Sequence, residues 1–462
     1  MGIFNNSVEI NQEEPFKHDK LCRRSEIENL TKLFEITDSQ MVLAVNSPWG
    51  AGKTTFFELW RAYLKSNNEL KSKYEVIYFN AWENDDCLDP LVSIMGEMKE
   101  SIEKVNKTNW DNIKEKGKKI VKKLTPVVIK VATAGLVSSN DVHLDDKVKD
   151  SIIDVSGNLF DVDEYIEQKE IRKEFEKELK EYQEKLDKTV IFFIDELDRC
   201  RPTFAIETLE RVKHLFNLEK FIFILGIDKE ALSNSIKVIY GTGTDINGYL
   251  ARFIDMEYSL KETHREEYTK YLFEKYMKDK IEERTYENFL KVVPRIIELF
   301  NLSLRDTEKI VITLYLLLKS NRYVYEDLEV YMIPFLLILS RFDKILYSRI
   351  KNKNVKFKQL TEILNEKIDI ENWFNEDKKG YVLKAKLINI LYDVEAYKEL
   401  EEKANEFDNM TEQNKVYGEN MYRHCLRSGY NLNFSENKSS LEEHLEYITN
   451  LIDIYSNLDI TQ

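Results

Sequence analysis

The sequence predicts an α/β protein of the three-layer αβα sandwich type, in which helices cover both faces of a parallel β-sheet, followed by an all-helical carboxyl-terminal domain. Three observations predict it. Four short apolar runs alternate with helical segments in the first 260 residues, as strands of a covered parallel sheet do. A glycine-bearing loop follows the first run, and two carboxylates follow the third.

Composition excludes several classes of protein. A length of 462 residues corresponds to roughly two to four folding units. The 43% of hydrophobic residues argue against wholesale disorder, and 14 glycines with 7 prolines are too few for an all-β sandwich or barrel. With 68 basic and 83 acidic residues the net charge is −15, which excludes a chain that coats nucleic acid over its whole surface but not a local basic patch.

Cysteine spacing and hydropathy predict a cytoplasmic protein. The amino terminus has no apolar core of a signal peptide. The longest apolar runs, Ile310–Leu318 and Tyr331–Leu339, are shorter than the ~18–20 residues of a spanning helix, so we expect buried core helices. No metal-binding spacing connects the four cysteines, which we expect to be reduced thiols: Cys22, Cys87, Cys200 and Cys425.

The first elements have the order helix, strand, loop, helix, strand. Helical spacing of apolar residues predicts a helix over Glu26–Phe34, and Met41–Val45 has the pattern of a buried strand. Helical spacing returns over Phe56–Leu64, and Glu75–Phe79 is the second predicted strand. The chain then becomes lysine-rich and helix-prone, which predicts a helical insert over about residues 91–188.

An apolar stripe in this insert predicts that the helix Glu164–Leu186 packs back on the core or on a neighbouring protomer. The stripe consists of Ile171, Phe175, Leu179, Tyr182 and Leu186. Two more strands, Val190–Ile194 and Phe221–Leu225, flank a predicted helix over Phe204–Leu215, and no strand pattern follows Leu260. We therefore predict a sandwich domain over residues 1–260 and a helical domain over 261–462.

The loop after the first strand has the pattern of a P-loop, Ser47-Pro48-Trp49-Gly50-Ala51-Gly52-Lys53-Thr54-Thr55. Its glycines let backbone N–H groups surround a β-phosphate, Lys53 reaches the β and γ oxygens, and the hydroxyl of Thr54 binds Mg²⁺. Ser47 replaces the usual first glycine, which puts the backbone geometry there in question. The residues expected to contact the nucleotide are Trp49, Gly50, Ala51, Gly52, Lys53, Thr54 and Thr55.

The third predicted strand ends in Asp195 and Glu196. In a P-loop NTPase the first carboxylate holds Mg²⁺ together with Thr54, and the second orients the attacking water. An adjacent glutamate indicates the class with a catalytic glutamate and an extra strand between the P-loop strand and this one. ATP is favoured over GTP because Gly226-Ile227-Asp228-Lys229 is not a guanine-reading tetrad. The alternative is that the two acids cap a helix.

These motifs together resemble the KAP family of P-loop NTPases over about residues 15–320. The matching strings are Trp49-Gly50-Ala51-Gly52-Lys53-Thr54, Phe79-Asn80-Ala81-Trp82, Ile194-Asp195-Glu196-Leu197-Asp198-Arg199-Cys200-Arg201-Pro202, Gly226-Ile227-Asp228 and Tyr249-Leu250-Ala251-Arg252-Phe253-Ile254. The resemblance implies an ATPase module with an α/β core. Family members are often membrane-associated through helices inserted between the two nucleotide motifs, and some bacterial members exclude phages.

The resemblance gives further residues a role. It places Asp19–Arg23 near the base or ribose, although an exposed charged segment is the alternative. It puts Asp228 where a sensor contacts the γ-phosphate or the water, although a helix cap fits equally. It implies that Asn80 and Trp82 brace the second strand, with Trp82 as a core aromatic. Three arginines are candidates for the cation that neutralises transition-state charge, in cis or in trans, and are otherwise structural: Arg199, Arg252 and Arg305.

The insert departs from the family pattern of two spanning helices. Its apolar segment Leu124–Val137 has 14 residues, includes Pro126 and Lys130, and is too short to span a bilayer. It follows a lysine run over residues 114–123. The segment 114–137 could lie on an anionic membrane surface at the inner face or contact nucleic acid, but a solvated helix face beside a buried one is the favoured interpretation.

The sequence as a whole predicts a Mg²⁺-dependent ATPase of KAP type that couples ATP binding and hydrolysis to conformational change and partner regulation. We expect a protein partner at the helical carboxyl-terminal domain and a homo-oligomer, and the resemblance adds anti-phage defence. The alternatives left open are a nucleotide-gated scaffold with little turnover, a membrane-surface effector and a nucleic-acid sensor.

Overall fold

The computed structural model describes residues 10–36, 40–134, 162–261, 265–320, 327–391, 393, 395–396, 398–399 and 438–456. The chain divides into two compact units, which we call the sheet unit (Val8–Glu262) and the helical unit (Thr263–Gln462). Cys425 lies outside the described residues, in which the cysteines at 22, 87 and 200 are free thiols.

The sheet unit contains, in its described residues, a five-stranded parallel sheet of order β2-β3-β4-β1-β5. The strands are β1 (Met41–Asn46), β2 (Tyr74–Asn80), β3 (Thr189–Asp195), β4 (Phe221–Ile227) and β5 (Met256–Ser259). Strand β4 separates β1, which leads into the glycine loop, from β3, which leads into the two carboxylates. The predicted α/β fold class and the predicted intervening strand are both confirmed.

Strand β5 is an addition to the four predicted strands. Among the described strands it pairs only with β1, at an edge of the sheet. Three of its four residues are exposed and Tyr258 is half-buried, so the segment lacks the apolar run by which the other strands were predicted.

Alternate residues of each strand face two separate cores, as the pleat requires. Met41, Leu43 and Val45 of β1 pack with one set of helices, and Val42 and Ala44 pack with another. The first set is α1 (Arg24–Leu33), α2 (Lys53–Ser66) and α3 (Asn68–Lys73). The second set is α4 (Pro90–Val105), α5 (Lys107–Ala134), α6 (Val162–Leu186), α7 (Pro202–Leu215), α8 (Lys229–Tyr240) and α9 (Ile246–Leu250).

The insert packs back on the sheet unit through α6, and this prediction is confirmed. Phe175, Leu179 and Tyr182 are fully buried in the core that α4 and α7 share. The hydroxyl of Tyr182 also forms a 2.6 Å hydrogen bond with that of Ser101 on α4. Burial of a large apolar side chain contributes about 1.5–3 kcal/mol, so this stripe is enough to fix α6 in place.

The lysine run lies on α5 with its charges toward solvent. Ile113 and Ile120 are buried on one side of the helix, whereas Lys114 and Lys118 on the other side are exposed. Lys119 pairs with Glu115 of the same helix at 2.7 Å. The lysine run up to residue 122 therefore forms a solvated helix face, which is the interpretation that the sequence favoured. Side chains from residue 123 onward and residues 135–137 lie outside the described residues. In the described ranges no helix combines the length and apolarity needed to cross a bilayer.

The helical unit has one extensive apolar core. The runs Ile310–Leu318 and Tyr331–Leu339 are mostly buried in it, which confirms both as core helices, and the second continues through Pro334. Its described helices are α10 (Arg265–Tyr276), α11 (Glu283–Leu299), α12 (Leu304–Ser320), α13 (Asp327–Phe342), α14 (Lys344–Lys351), α15 (Phe357–Asn365), α16 (Ile370–Glu376), α17 (Lys378–Ile390) and α18 (Lys438–Ser456).

A buried ion pair ties α4 to α7. Arg211, which is 9% exposed, donates from Nε and Nη2 to the two carboxylate oxygens of Asp89 at 3.2 and 2.9 Å. Asp89 is 4% exposed and also accepts a 2.8 Å hydrogen bond from the backbone N–H of Leu91, in the first turn of α4. The pair therefore fixes the beginning of the insert.

We expect Asp89→Ala to lower the free energy of unfolding by about 3–5 kcal/mol, because it leaves the Arg211 charge buried without a partner. Urea unfolding followed by tryptophan fluorescence measures this loss. The matched control is Glu69→Ala, which removes an exposed pair with Lys73 and should leave the midpoint unchanged. Equal shifts in the two variants would contradict a special role for the buried pair.

Candidate nucleotide-binding site

The loop between β1 and α2 has the backbone that phosphate binding requires. Gly50 and Gly52 have φ angles of 80° and 88°, in the left-handed region that glycine adopts without strain. Ser47 needs no such angle, and its backbone N–H donates to the carbonyl of Ile227 on β4 at 3.1 Å. The replacement of the usual first glycine by Ser47 is therefore compatible with the loop.

Lys53 is held inside this loop. Its Nζ donates to the carbonyl oxygen of Ser47 at 2.5 Å, and it lies 4.0 Å from the carboxylate of Asp198. Burial lowers the pKa of Lys53, and nearby aspartates, Asp198 first, act against that shift. A lysine that bonds to the carbonyls of its own loop is in position to exchange them for phosphate oxygens.

Thr54 and Asp195 meet at the end of β3. The hydroxyl of Thr54 lies next to the carboxylate of Asp195, which is fully buried, and acts to lower the pKa of that carboxylate. The backbone N–H of Glu196 donates to Oδ1 of Asp195 at 2.9 Å, and the hydroxyl of Tyr78 on β2 donates to Oδ2 at 3.3 Å. Burial raises the pKa of Asp195, so the site favours any partner that carries positive charge.

The donor set fits a magnesium ion. Thr54 and Asp195 provide hard oxygen ligands, which Mg²⁺ prefers, and no lysine or arginine of the described residues lies within 4.0 Å of the Asp195 carboxylate. The described residues contain no cluster of three or more His, Cys, Asp or Glu that could hold a metal by itself. Mg²⁺ does not need one, because it keeps several waters and takes phosphate oxygens as further ligands.

Glu196 has a strained backbone conformation and a side chain that forms an ion pair. Its φ angle is 59°, in a region that residues other than glycine rarely adopt and that is frequent at functional sites. Its carboxylate pairs with Nη1 of Arg199 at 2.8 Å, and that guanidinium lies 5.6 Å from the ring centroid of Trp82. The expectation that Trp82 is a core aromatic is wrong, since 53% of its surface is exposed.

Asn80 braces the turn that follows β2. Its side-chain oxygen accepts from the backbone N–H groups of Trp82 and Glu83 at 3.1 and 3.3 Å. The next residue, Ala81, donates its N–H to the carbonyl of Asp195 at 3.0 Å. The turn is thus attached to the end of β3, and Trp82 stands at the surface next to Arg199.

Asp198 belongs to the site, although sequence analysis assigned no role to it. It is 6% exposed, lies 4.0 Å from Lys53 Nζ, and accepts a hydrogen bond from the indole N–H of Trp49. Its second oxygen, Oδ1, is buried without a hydrogen-bond partner. The one feature of the sequence that could have indicated this role is the position of Asp198 three residues after Asp195, in the turn Leu197–Arg199.

Asp228 joins the P-loop to α8. One carboxylate oxygen accepts from the backbone N–H of Trp49 at 3.2 Å, and the other accepts from Glu230 and Ala231 in the first turn of α8 at 3.1 and 3.2 Å. Asp228 therefore caps α8, as the alternative interpretation predicted, and it also contacts the P-loop. An ionised carboxylate only accepts hydrogen bonds, so this geometry favours orientation of the loop by Asp228.

The amino-terminal motif is structural in its contacts. Asp19 accepts from the backbone N–H groups of Leu21 and Arg24 at 3.2 and 3.0 Å. Arg23 is 1% exposed and bonds to Glu26 at 3.0 Å and to the carbonyl of Lys261 at 2.9 Å. The motif thus connects α1 with the segment that follows β5, and the alternative of an exposed charged segment does not apply to Arg23.

The three candidate arginines have different surroundings. Arg199 lies in the site and pairs with Glu196. Arg252 is exposed in the turn after α9, and among the described residues its side chain forms no ion pair. Arg305 is exposed in the first turn of α12, in the helical unit. Within the sheet unit the structure therefore brings Arg199, but not Arg252, into contact with a predicted catalytic carboxylate.

Comparison with known proteins gives one family. A sequence profile described as the KAP family P-loop domain matches residues 23–321, more than half of the chain, and confirms the resemblance. No curated protein matches the sequence. Two solved structures of the Aeropyrum pernix ORC2 protein are similar over 94% of this chain and 95% of that chain: the ADPNP-ADP complexes at TM-score 0.31 and 13% identity, and the ADP form at TM-score 0.33 and 11% identity. These scores support no argument about function.

Gly226 is required by the site next to it. A Cβ atom at this position on β4 would lie 2.8 Å from Oδ1 of Asp195 and 2.9 Å from the ring of Phe57. We expect Gly226→Ala to displace Asp195 and to weaken magnesium-dependent nucleotide binding about tenfold or more, measured with a fluorescent nucleotide. Gly96→Ala on α4 is the matched control, because its Cβ would meet nothing within 4 Å. Unchanged affinity for Gly226→Ala would contradict the role of Asp195.

Asp198 sets the pH range in which Lys53 is charged. The lysine is charged below its pKa and loses its charge as pH rises through it; burial lowers this pKa and Asp198 raises it. Asp198→Asn lowers it further, so nucleotide affinity, titrated from neutral to alkaline pH, should fall at a lower pH than in the wild type. Asp85→Asn, whose carboxylate pairs with Arg201, is the control. Superimposable profiles would show that Asp198 does not control the lysine.

Proposed function

The chain belongs to the KAP family of P-loop NTPases, and we propose that it is a Mg²⁺-dependent ATPase that converts its nucleotide state into a conformational change read by a protein partner. The observation that carries the proposal is the contact between Thr54 and Asp195, with Glu196 directly beyond them. A P-loop hydroxyl, a buried strand-end carboxylate and a second acid are the groups that phosphoryl transfer to water needs.

Each group of residues in the site has a separate proposed role. Backbone N–H groups of residues 49–55 and the ammonium of Lys53 bind the phosphates, because both present positive charge to them. Thr54 and Asp195 hold Mg²⁺, which neutralises charge on the phosphate oxygens when bound. Glu196 accepts a hydrogen bond from the attacking water and fixes its direction. Asp228 and Asp198 hold Trp49 and so shape the loop.

Basal turnover is proposed to be slow, because Glu196 is already engaged. Its carboxylate is paired with Arg199 at 2.8 Å, and a carboxylate neutralised in this way is a weaker acceptor for the water. Turnover then requires that Arg199 turns toward the phosphate or toward another acid. This pairing also favours the second candidate function, a nucleotide-gated scaffold with little hydrolysis.

The finer assignments follow from the family. We propose that Arg199, or Arg252 or Arg305 across a subunit boundary, neutralises transition-state charge in a homo-oligomer. The helical unit is the proposed partner-binding part, and regulation of an effector in anti-phage defence is the proposed setting. The exposed lysines on α5, Lys114, Lys118 and Lys122, are accessible to an anionic membrane surface, which supports a peripheral location. Contact with nucleic acid is the alternative use of the same charges.

Two substitutions separate binding from turnover. Lys53→Ala should weaken ATP binding at least about tenfold, because the loop loses its ammonium. Glu196→Gln should keep ATP affinity and lower the rate of phosphate release about 10²–10⁴-fold. Glu83→Gln, on the exposed turn after β2, is the control and should behave as the wild type.

The outcome decides between the two candidate functions. Wild-type hydrolysis that Glu196→Gln abolishes supports the ATPase. Tight ATP binding with no phosphate release in either protein supports the scaffold. Undiminished turnover in Glu196→Gln would overturn the assignment of the water-orienting role.

A further inference from the structure

A groove of about 560 Å³ runs along the outer edge of β2, and its lining residue Tyr78 separates it from Asp195 of the nucleotide site. Five consecutive strand residues, 74–78, form its floor, and helices α2 and α4 form its walls. Successive side chains of a strand point to opposite faces of the sheet: Tyr74 packs in one core and Ile77 in the other. A groove that touches all five residues must therefore follow the backbone edge and not one face.

The backbone along this edge is open to pairing. Strand β2 stands last in the order β2-β3-β4-β1-β5, and β3 is its one partner among the described strands. Edge strands present a row of N–H and C=O groups that can pair with another chain. Five residues at about 3.3 Å each give a length of ~16 Å, which suits a short extended peptide.

The groove is basic although the chain is acidic. Its lining carries five basic residues, Arg61, Lys65, Lys71, Lys104 and Lys188, against three acidic ones, Glu75, Glu97 and Glu100. Of these, Lys104 and Glu100 pair with each other at 2.6 Å. The remaining four cations face two acids in a protein of net charge −15, so the excess of positive charge is local.

Two of these cations form no close ion pair, although Glu58 and Glu97 act on Arg61, and Glu75 and Glu100 act on Lys65, from a greater distance. Arg61 and Lys65 stand one turn apart on α2, where like charges repel each other. Burial lowers the pKa of both, and Arg61 contributes to the lowering at Lys65. Neither has a carboxylate within 4.0 Å among the described residues, and Nε of Arg61 is buried without a hydrogen-bond partner. An incoming carboxylate would offset both the burial of these two cations and the repulsion between them.

We propose that this groove binds an extended acidic segment of a partner protein, which adds a strand to the sheet along β2 with its carboxylates against Arg61 and Lys65. Strand addition takes its affinity from main-chain hydrogen bonds and its specificity from the side chains on either side. The open backbone edge favours a polypeptide over a nucleic acid, which would neutralise the lysines but leave the edge unpaired. The inference depends on the fold and not on ATP hydrolysis.

The test uses the full chain and a fluorescein-labelled heptapeptide of alternating glutamate and valine, followed by fluorescence anisotropy. We expect saturable binding, together with slower amide hydrogen exchange in residues 74–79. The same peptide with alternate amides N-methylated should bind at least about tenfold more weakly, because it cannot complete the main-chain pairing. A lysine–valine peptide should not bind.

Charge reversal in the groove provides the matched variants. Lys65→Glu combined with Lys188→Glu should weaken binding of the glutamate–valine peptide at least about tenfold, whereas Lys99→Glu, an exposed position of α4 outside the lining, should not. Thermal unfolding of each variant verifies that it is folded. Absence of saturable binding at millimolar peptide, binding that survives N-methylation, or preference for oligothymidylate over the peptide would each overturn the proposal.

Discussion

The complete burial of the Asp195 carboxylate is the constraint on which the site depends. A buried carboxylate without partners is strongly unfavourable, and this one is accommodated by groups from several elements: the N–H of Glu196, the hydroxyl of Tyr78 on β2 and the hydroxyl of Thr54 on α2. The neighbouring strand β4 must carry glycine at position 226 to leave room for it. The strand order is therefore a condition of the chemistry, because it brings β2, β3 and β4 side by side.

Charge around the site is organised in pairs that the net charge of −15 does not reveal. Lys53 lies among aspartates, and Glu196 lies against Arg199. Each of these two cations thus interacts with a carboxylate, and a bound phosphate would have to compete with that carboxylate for the cation. This arrangement fits a protein that responds to nucleotide by exchanging internal partners, since Lys53 bonds to its own loop and Arg199 to Glu196.

Tyr78 connects the nucleotide site with the edge of the sheet. Its hydroxyl bonds to Asp195, and its ring lies 4.0 Å from the guanidinium of Arg61 in the wall of the groove. The fold therefore places the basic groove and the Asp195 carboxylate on two sides of the Tyr78 side chain. A structural link of this kind needs the edge strand and α2 to meet, and neither motif in the sequence indicates it.

The sequence by itself determined the four core strands, the P-loop, the two strand-end carboxylates and the packing of α6, because continuous apolar runs and glycine spacing are local signals of burial and backbone shape. It could not predict β5, whose exposed edge residues have no apolar pattern. It also could not predict the exposure of Trp82, because the identity of a tryptophan does not show whether it lies in a core or at the surface. Only the tertiary structure decided that Asp198 faces Lys53, that Arg199 holds Glu196 and that Arg23 is buried against Glu26. Asp198 and Lys53 meet because turns from distant elements converge at the end of the sheet, which spacing along the chain does not record, whereas the two i,i+3 pairs depend on the local backbone and on burial by the rest of the fold.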